Sequence, residues 1–220
     1  MDPTENPGRE RILARMSQAL TVPSAKHPVS GERKLIFAPI TDPLDRFQKE
    51  CMGNNTECVV VADRKASAET IAGIVASLPP GEIFVQDSPG LRVMASAWQA
   101  GHTLRWSTEG GPNEASQATI TNAEVLVAAT GSVLVSAACG GRGASVVAPI
   151  HIVVAGIDQL VPDLESAFAR QRERGTLSRN SFLCLITGSS RTADIEKILV
   201  MGAHGPRRLV VVLSLKREES

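Results

Sequence analysis

The residues best suited to chemistry stand near the carboxyl end. Gly188-Ser189-Ser190-Arg191-Thr192-Ala193-Asp194 follows a run of strand composition, Ser181 to Thr187, and precedes a stretch with Ile195, Ile198 and Leu199 on one helical face. A strand, a loop of small residues and a helix start in succession offer unpaired backbone N–H groups and a positive dipole end to an anion. The junction is expected at the carboxyl edge of the sheet, where open α/β folds bind ligands. Arg191 adds a planar fork that fits a carboxylate or phosphate. A purely structural reading stays open, in which Ser190 or Thr192 caps the helix and Arg191 is solvated. The helix, expected from about Thr192 to Met201, stops at Gly202, and Ala203-His204-Gly205-Pro206-Arg207-Arg208 turns the chain into a final apolar run. A histidine such as His204 can titrate near neutral pH and suits general acid–base work or a hydrogen bond to a substrate oxygen, though a lone loop histidine is more often a turn residue.

A second candidate is Cys139-Gly140-Gly141-Arg142-Gly143-Ala144-Ser145. Its glycines permit a backbone concavity for an oxyanion, with Arg142 closing over it; the plain alternative is a tight connection. It lacks the Lys-Ser/Thr pair of a Walker loop and the G-x-G-x-x-G of a dinucleotide site. Thr130-Gly131 is a weaker candidate, because a hairpin turn explains its glycine by positive φ alone. There is no G-x-S-x-G and no H-E-x-x-H, and His27, His102, His151 and His204 lie at no metal-ligand spacing. His151, inside an apolar run, reads as a satisfied core or sheet residue.

The elements that must position these residues follow from periodicity. Arg9 to Leu20 puts Ile12, Leu13, Met16, Ala19 and Leu20 on one helical stripe, either docked on its own domain or free to bind a partner. Thr21 to Lys34, rich in Pro, Ser, Gly and charge, reads as a flexible connector. The chain therefore divides into residues 1–34, an amphipathic helix and linker, and residues 35–220, one α/β domain. Within the latter, strand-like Glu57 to Ala62 and Glu82 to Gln86 alternate with helical Ala66 to Leu78 and Gly90 to Ala100, which argues for a mostly parallel, Rossmann-like sheet with helices on both faces. Leu104 to Trp106 is a further short strand. Glu124 to Ala129 and Val133 to Ala138 are separated only by Thr130-Gly131-Ser132, too short for a crossover, so they pair as a hairpin and the sheet is mixed. A strand around Ile150 to Ala155, a helix beginning near Pro162 and a last strand from Leu209 to Ser214 complete the pattern.

The chain has 220 residues, with 23 basic and 23 acidic side chains. That balance provides no global field for nucleic acid or an anionic membrane, so an anion must be held by a local cluster. The longest apolar runs, Val59 to Ala62 and Leu209 to Leu213, fall far short of the ~18–20 residues that span a bilayer, and a cytoplasmic protein is expected. Cys51, Cys58, Cys139 and Cys184 are widely spaced, without the short C-x-x-C pairs of cluster sites, and read as reduced, mostly buried thiols.

Several segments carry a family likeness. Ala129-Thr130-Gly131-Ser132-Val133-Leu134-Val135, Ala148-Pro149-Ile150-His151-Ile152-Val153-Val154, Ile157 to Leu164, Ser189-Ser190-Arg191-Thr192-Ala193-Asp194-Ile195-Glu196 and Gly202-Ala203-His204-Gly205-Pro206 resemble, in order and spacing, the LUD-domain family of lactate utilization protein C. The last two segments are the specific part, and the likeness runs from roughly Ala118 to Leu213. It implies a fold similar to the glucosamine-6-phosphate deaminase, ribose-5-phosphate isomerase and coenzyme A transferase group. It also implies a role beside two iron–sulfur partners in oxidizing L-lactate to pyruvate, with the clusters in the partners and no cofactor in this chain. The positions that match are Thr130, Gly131, Ser190, Arg191, Thr192, Asp194, Glu196, His204, Gly205 and Pro206; Arg142, Gly188 and Arg207 join them as candidate ligand contacts, and His204 is the candidate acid or base. Where family members commonly carry an acidic residue before the Thr-Gly pair, this chain has Ala129, so a carboxylate role there is lost or moved. Two other readings remain: a self-sufficient enzyme on sugar-phosphate, acyl-thioester or folate substrates, and a ligand-sensing or assembly module.

Overall fold

The computed structural model describes residues 7–21, 38–98, 101–192, 200–201 and 205–216. The chain divides into two compact units, Met1–Pro39 and Ile40–Ser220. The first contains helix α1, Pro7–Leu20. Of its apolar stripe, Ile12, Leu13 and Met16 are 60%, 43% and 58% exposed.

The second unit opens with α2 (Pro43–Gly53), β1 (Thr56–Val61), α3 (Arg64–Ala76), β2 (Gly81–Val85), α4 (Pro89–Ala95), β3 (His102–Trp106) and β4 (Ser116–Asn122). It continues through β5 (Val125–Val127), β6 (Ser132–Ser136), β7 (Ile150–Gly156), β8 (Leu160–Val161), α5 (Leu164–Glu173), α6 (Thr176–Arg179) and β9 (Leu183–Ile186). It closes with β10 (Arg191–Thr192), β11 (Val200–Met201) and β12 (Arg208–Ser214). Helices start where the sequence supplies an acceptor for their unpaired N–H groups. Asp42, Asp63, Ser88 and Asp163 accept from the backbone N–H three residues on in α2, α3, α4 and α5, and Pro43 and Pro89 occupy first-turn positions that need no donor. Pro162, expected inside the first turn of α5, precedes the cap instead.

Six strands form a parallel sheet in the order β1-β12-β7-β4-β2-β3. Strands β12 and β7 carry apolar residues on both faces, as a parallel sheet covered on both sides requires. Ile152, Val154, Val210 and Val212 face a core closed by Ile71 and Val75 of α3 and by Leu91, Met94 and Trp98 at and beyond α4. Val153, Ala155, Leu209, Val211 and Leu213 face the opposite way, onto Phe47 and Cys51 of α2 and Leu126, Val133 and Val135 of a second sheet. That sheet, β8-β5-β6-β9, holds the expected β5–β6 hairpin, with antiparallel β6–β9 and parallel β5–β8. Its outer side packs through Val125, Val127, Leu134 and Val161 on Ala167 of α5. The mixed pairing read from the sequence is therefore divided between two stacked sheets. Among the described residues, no helix is long and apolar enough to cross a membrane.

The expected helix from Thr192 to Met201 is not found at its ends. Arg191–Thr192 and Val200–Met201 pair antiparallel, while residues 193–199 lie outside the described residues. Arg191 pairs with Met201 and Thr192 with Val200, and an extended ladder excludes helical dihedrals at these four positions. The chain after Ser190 thus continues as a strand through Arg191–Thr192.

Candidate functional site

The two loops singled out by the sequence meet at the end of α2. Thr130 and Gly131 form the β5–β6 turn; Gly131 has φ +61°, and a Cβ there would stand 2.8 Å from the backbone N of Cys51. Gly188, beyond β9, has φ +81°, and its Cβ would stand 2.3 Å from the Asn54 carbonyl oxygen. Both positions need glycine because backbone meets backbone without room for a side chain. Asn54 Nδ2 donates to the Thr130 carbonyl at 2.9 Å, and Cys51 Sγ approaches the Gly131 carbonyl at 3.8 Å. A relay of hydroxyls, Thr130 Oγ1 to Ser132 Oγ to Thr187 Oγ1, runs in two steps of 2.7 Å from the turn to the end of β9. Asn54 was not among the sequence candidates. Its signal was the Asn54-Asn55 pair closing α2, where Asn55 adopts φ 56°, a conformation asparagine tolerates better than most residues.

The third segment joins them. Ser190 N–H donates to the Pro206 carbonyl at 2.8 Å, Arg207 N–H donates to Pro149 at 2.8 Å, and a Cβ on Gly205 would lie 3.2 Å from that of Ser190. Thr130-Gly131, Gly188 to Ser190 and Gly205 to Arg207 thus gather where β1, β7 and β12 begin. This is the amino edge of the parallel sheet, not the carboxyl edge expected from the strand–loop order, because the strand that delivers Gly188 belongs to the second sheet. Arg191 and Arg207 are exposed here, and among the described residues neither makes an ion pair. Arg208 is committed to Glu57 through two bonds of 2.6 and 2.7 Å, which hold the Glu57 carboxyl below its ordinary range. Ser189, 6% exposed, and Thr56, 5% exposed, each bury a hydroxyl with no hydrogen-bond partner among the described residues. The edge therefore offers hydroxyls and two guanidinium groups, a set suited to holding an anion. Asp194, Glu196 and His204 lie outside the described residues, as does the side chain of Thr192.

Arg142 does not join this group. Its Nη2 donates to the Ser181 carbonyl at 3.3 Å, beside the Ser136 end of β6, whereas Thr130 precedes the Ser132 end. Those two ends are roughly 13 Å apart at the usual rise of an extended strand. Under the Arg142 loop is a small pocket lined by Thr121, Ser136, Cys139, Gly141, Ser145 and His151, among others. His151 is 1% exposed, its Nε2 is 2.9 Å from Thr121 Oγ1, and burial pushes its pKa down to about 4. The sequence reading of a satisfied histidine holds for one ring nitrogen only, since Nδ1 has no partner among the described residues. Ser136 Oγ donates to Glu124 Oε1 at 2.5 Å, and burial pushes the nearby Cys139 thiol up to about 11. The four cysteines are all unpaired, as the sequence suggested, and two are buried. Cys51 and Cys58 share a hydrogen bond that, with burial, pushes the Cys51 thiol far up.

Residues 113–214 match the model of the LUD domain. The chain is 28% identical to the lactate utilization protein C of Geobacillus sp. strain WCH70 over 79% of its own length and 78% of that protein. It is 27% identical to the lactate utilization protein C of Bacillus subtilis strain 168, over 76% of each. In fold it is similar to a crystal structure of a DUF162 family protein from Deinococcus radiodurans, with a TM-score of 0.59, 18% identity, and coverage of 78% of this chain and 96% of that one. The matched region takes in the Thr130-Gly131 turn, the buried His151, and the Gly188 and Gly205 segments at the amino edge. Over residues 113–214, where sequence and fold agree, this chain is similar to the LUD domain.

Proposed function

We propose that this protein serves lactate utilization as a subunit that binds a small anion at the amino edge of its parallel sheet, while iron–sulfur partners carry the electrons. The observation that carries this reading is the likeness, along some three quarters of the chain, to proteins named for lactate utilization. The geometry supports the binding part. Three separated segments converge there, and Arg191 and Arg207 are available to a carboxylate in a chain whose charges otherwise balance. The division of labour is supported by the cysteines. Cys51 and Cys58 lie below the Thr130-Gly131 turn, Cys139 under the Arg142 loop and Cys184 on β9, an arrangement that does not converge four thiolates on one cluster. The exposed stripe of α1 fits a partner subunit.

The test is affinity purification of the full chain from its native host grown on L-lactate. The reading expects brown, iron-containing proteins to co-purify, and deletion of the gene to stop growth on lactate but not on pyruvate. Isothermal titration with L-lactate and with phosphate then identifies the anion. Arg191→Ala and His204→Ala should each weaken the preferred anion about tenfold or more with the thermal midpoint nearly unchanged. Unfolding of both variants with normal affinity in the residual fold would remove the site assignment. Growth without the gene would remove the lactate role.

A further inference from the structure

We propose that the pocket beneath the Cys139–Ser145 loop is a second ligand site, one that takes a small uncharged group of the carboxamide type rather than an anion. Two polar atoms in it are uncommitted. His151 Nδ1 and Ser145 Oγ belong to residues 1% and 5% exposed, and neither has a hydrogen-bond partner among the described residues. Burying a polar group unpaired is costly, and an occupant bonding to both would offset that cost. The ring is held by Thr121 Oγ1 at Nε2, 2.9 Å away, and His151 and Ser145 both line the pocket.

The surroundings select against charge. His151 is buried as the neutral imidazole, and Cys139 remains a thiol. The Glu124 carboxylate stands behind Ser136 and Cys139, at 2.5 and 3.8 Å from their side-chain atoms. The loop's only cation, Arg142, is turned to the Ser181 carbonyl. An anion would therefore lose its hydration against neutral groups with a carboxylate nearby. A carboxamide brings a carbonyl acceptor and an NH₂ donor group, which a hydroxyl and an imidazole nitrogen can meet.

Its walls stand too close in this conformation for a water-sized sphere, so entry requires the loop to yield. Several of its backbone bonds are local. Gly141 N–H donates to Ala137, Ala144 N–H to Gly141 and Val146 N–H to Gly143, and Gly140 and Gly141 sit at φ +95° and +88°. Such a segment can move without breaking the ladder of either sheet.

Titration of the full chain, labelled with ¹⁵N-histidine, with acetamide and with its charged isostere acetate tests the site. Acetamide should shift the His151 ring signals saturably, and acetate should bind there at least about tenfold more weakly. Ser145→Ala should weaken acetamide about tenfold, and Ser145→Val, which also fills the space, should abolish the shift with His151 still present to report it. No saturable acetamide shift, equal binding of acetate, or undiminished binding to Ser145→Val would each overturn the proposal. Because the signals followed are those of His151, failure here leaves the anion site at the amino edge untouched, and failure of that site leaves this one standing.

Discussion

Gly188 and Gly141 both hold a positive φ, yet a methyl group has different consequences at each. At Gly188 the added Cβ meets the Asn54 carbonyl at 2.3 Å, whereas at Gly141 it meets nothing within 4 Å. Gly141→Ala should cost only the left-handed strain, about 1–2 kcal/mol. Gly188→Ala must also push apart two backbones and should cost upward of about 3 kcal/mol, with urea midpoints as the measure. His151 makes a second residue-scale prediction. Its folded pKa of about 4 lies below the ordinary 6.5, so the unfolded chain takes up the proton first as pH falls. The stability it contributes is full above pH 6.5 and is lost as pH drops toward 4, by about 3 kcal/mol at the lower end. Denaturation at pH 7.5 and 4.5, which should differ less in His151→Gln than in the natural protein, checks this.

Among the elements, the capped helices follow their sequences closely, because a cap is a local event between residues three apart. Asp63→Ala and Asp163→Ala should each remove a cap and lower the thermal midpoint by a few degrees, about 2–5 °C, without loss of binding. Helix α1 is different in kind, since Ile12 and Met16 remain more than half exposed. Deleting residues 1–34 should impair assembly with a partner far more than it lowers the unfolding midpoint of residues 35–220. An equal collapse in both would make α1 part of the fold's own support. The strand β4 shows where periodicity fails: Ser-Gln-Ala-Thr-Ile-Thr-Asn has too few apolar residues to announce a strand, yet Ala118 and Ile120 are fully buried between β2 and β7. Its Thr119 and Thr121 spend their inward face on the polar side of the second core, next to His151.

At the scale of the molecule, the second sheet changes what the loops can do. By covering one face of the parallel sheet it carries Gly188 to the amino edge of β1, β7 and β12, and it separates the Thr130 turn from Arg142 by the length of β6. Two regions of opposite character result: an edge with the exposed Arg191 and Arg207, and a neutral pocket between the layers. Salt and charge should therefore act on them differently. Binding of a small anion at the edge should weaken as ionic strength rises, because the arginines there are solvent-exposed. Acetamide binding at His151 should stay constant over the same range, as parallel titrations at low and high salt would show.

The sequence by itself determined the α/β class, the hairpin around Thr130-Gly131, the unpaired cysteines, the helices after Ala66 and near Pro162, and the resemblance that singled out the Gly188 and Gly205 segments together. These are properties of local spacing, of composition, or of motifs that stay in order along the chain. Only the tertiary structure decided that the hairpin lies in its own sheet, that Arg191–Thr192 is a strand, that Asn54 joins the glycine turns, and that His151 keeps one nitrogen unpaired. The Arg191–Thr192 strand pairs with residues 8 to 10 positions on, and the others depend on residues that meet from 30 to 134 positions away; hydrophobic periodicity carries no information about either pairing. The carboxyl-edge expectation for Gly188 failed for the same reason. Strand followed by loop is visible in one dimension, but which sheet the strand joins is settled by packing alone.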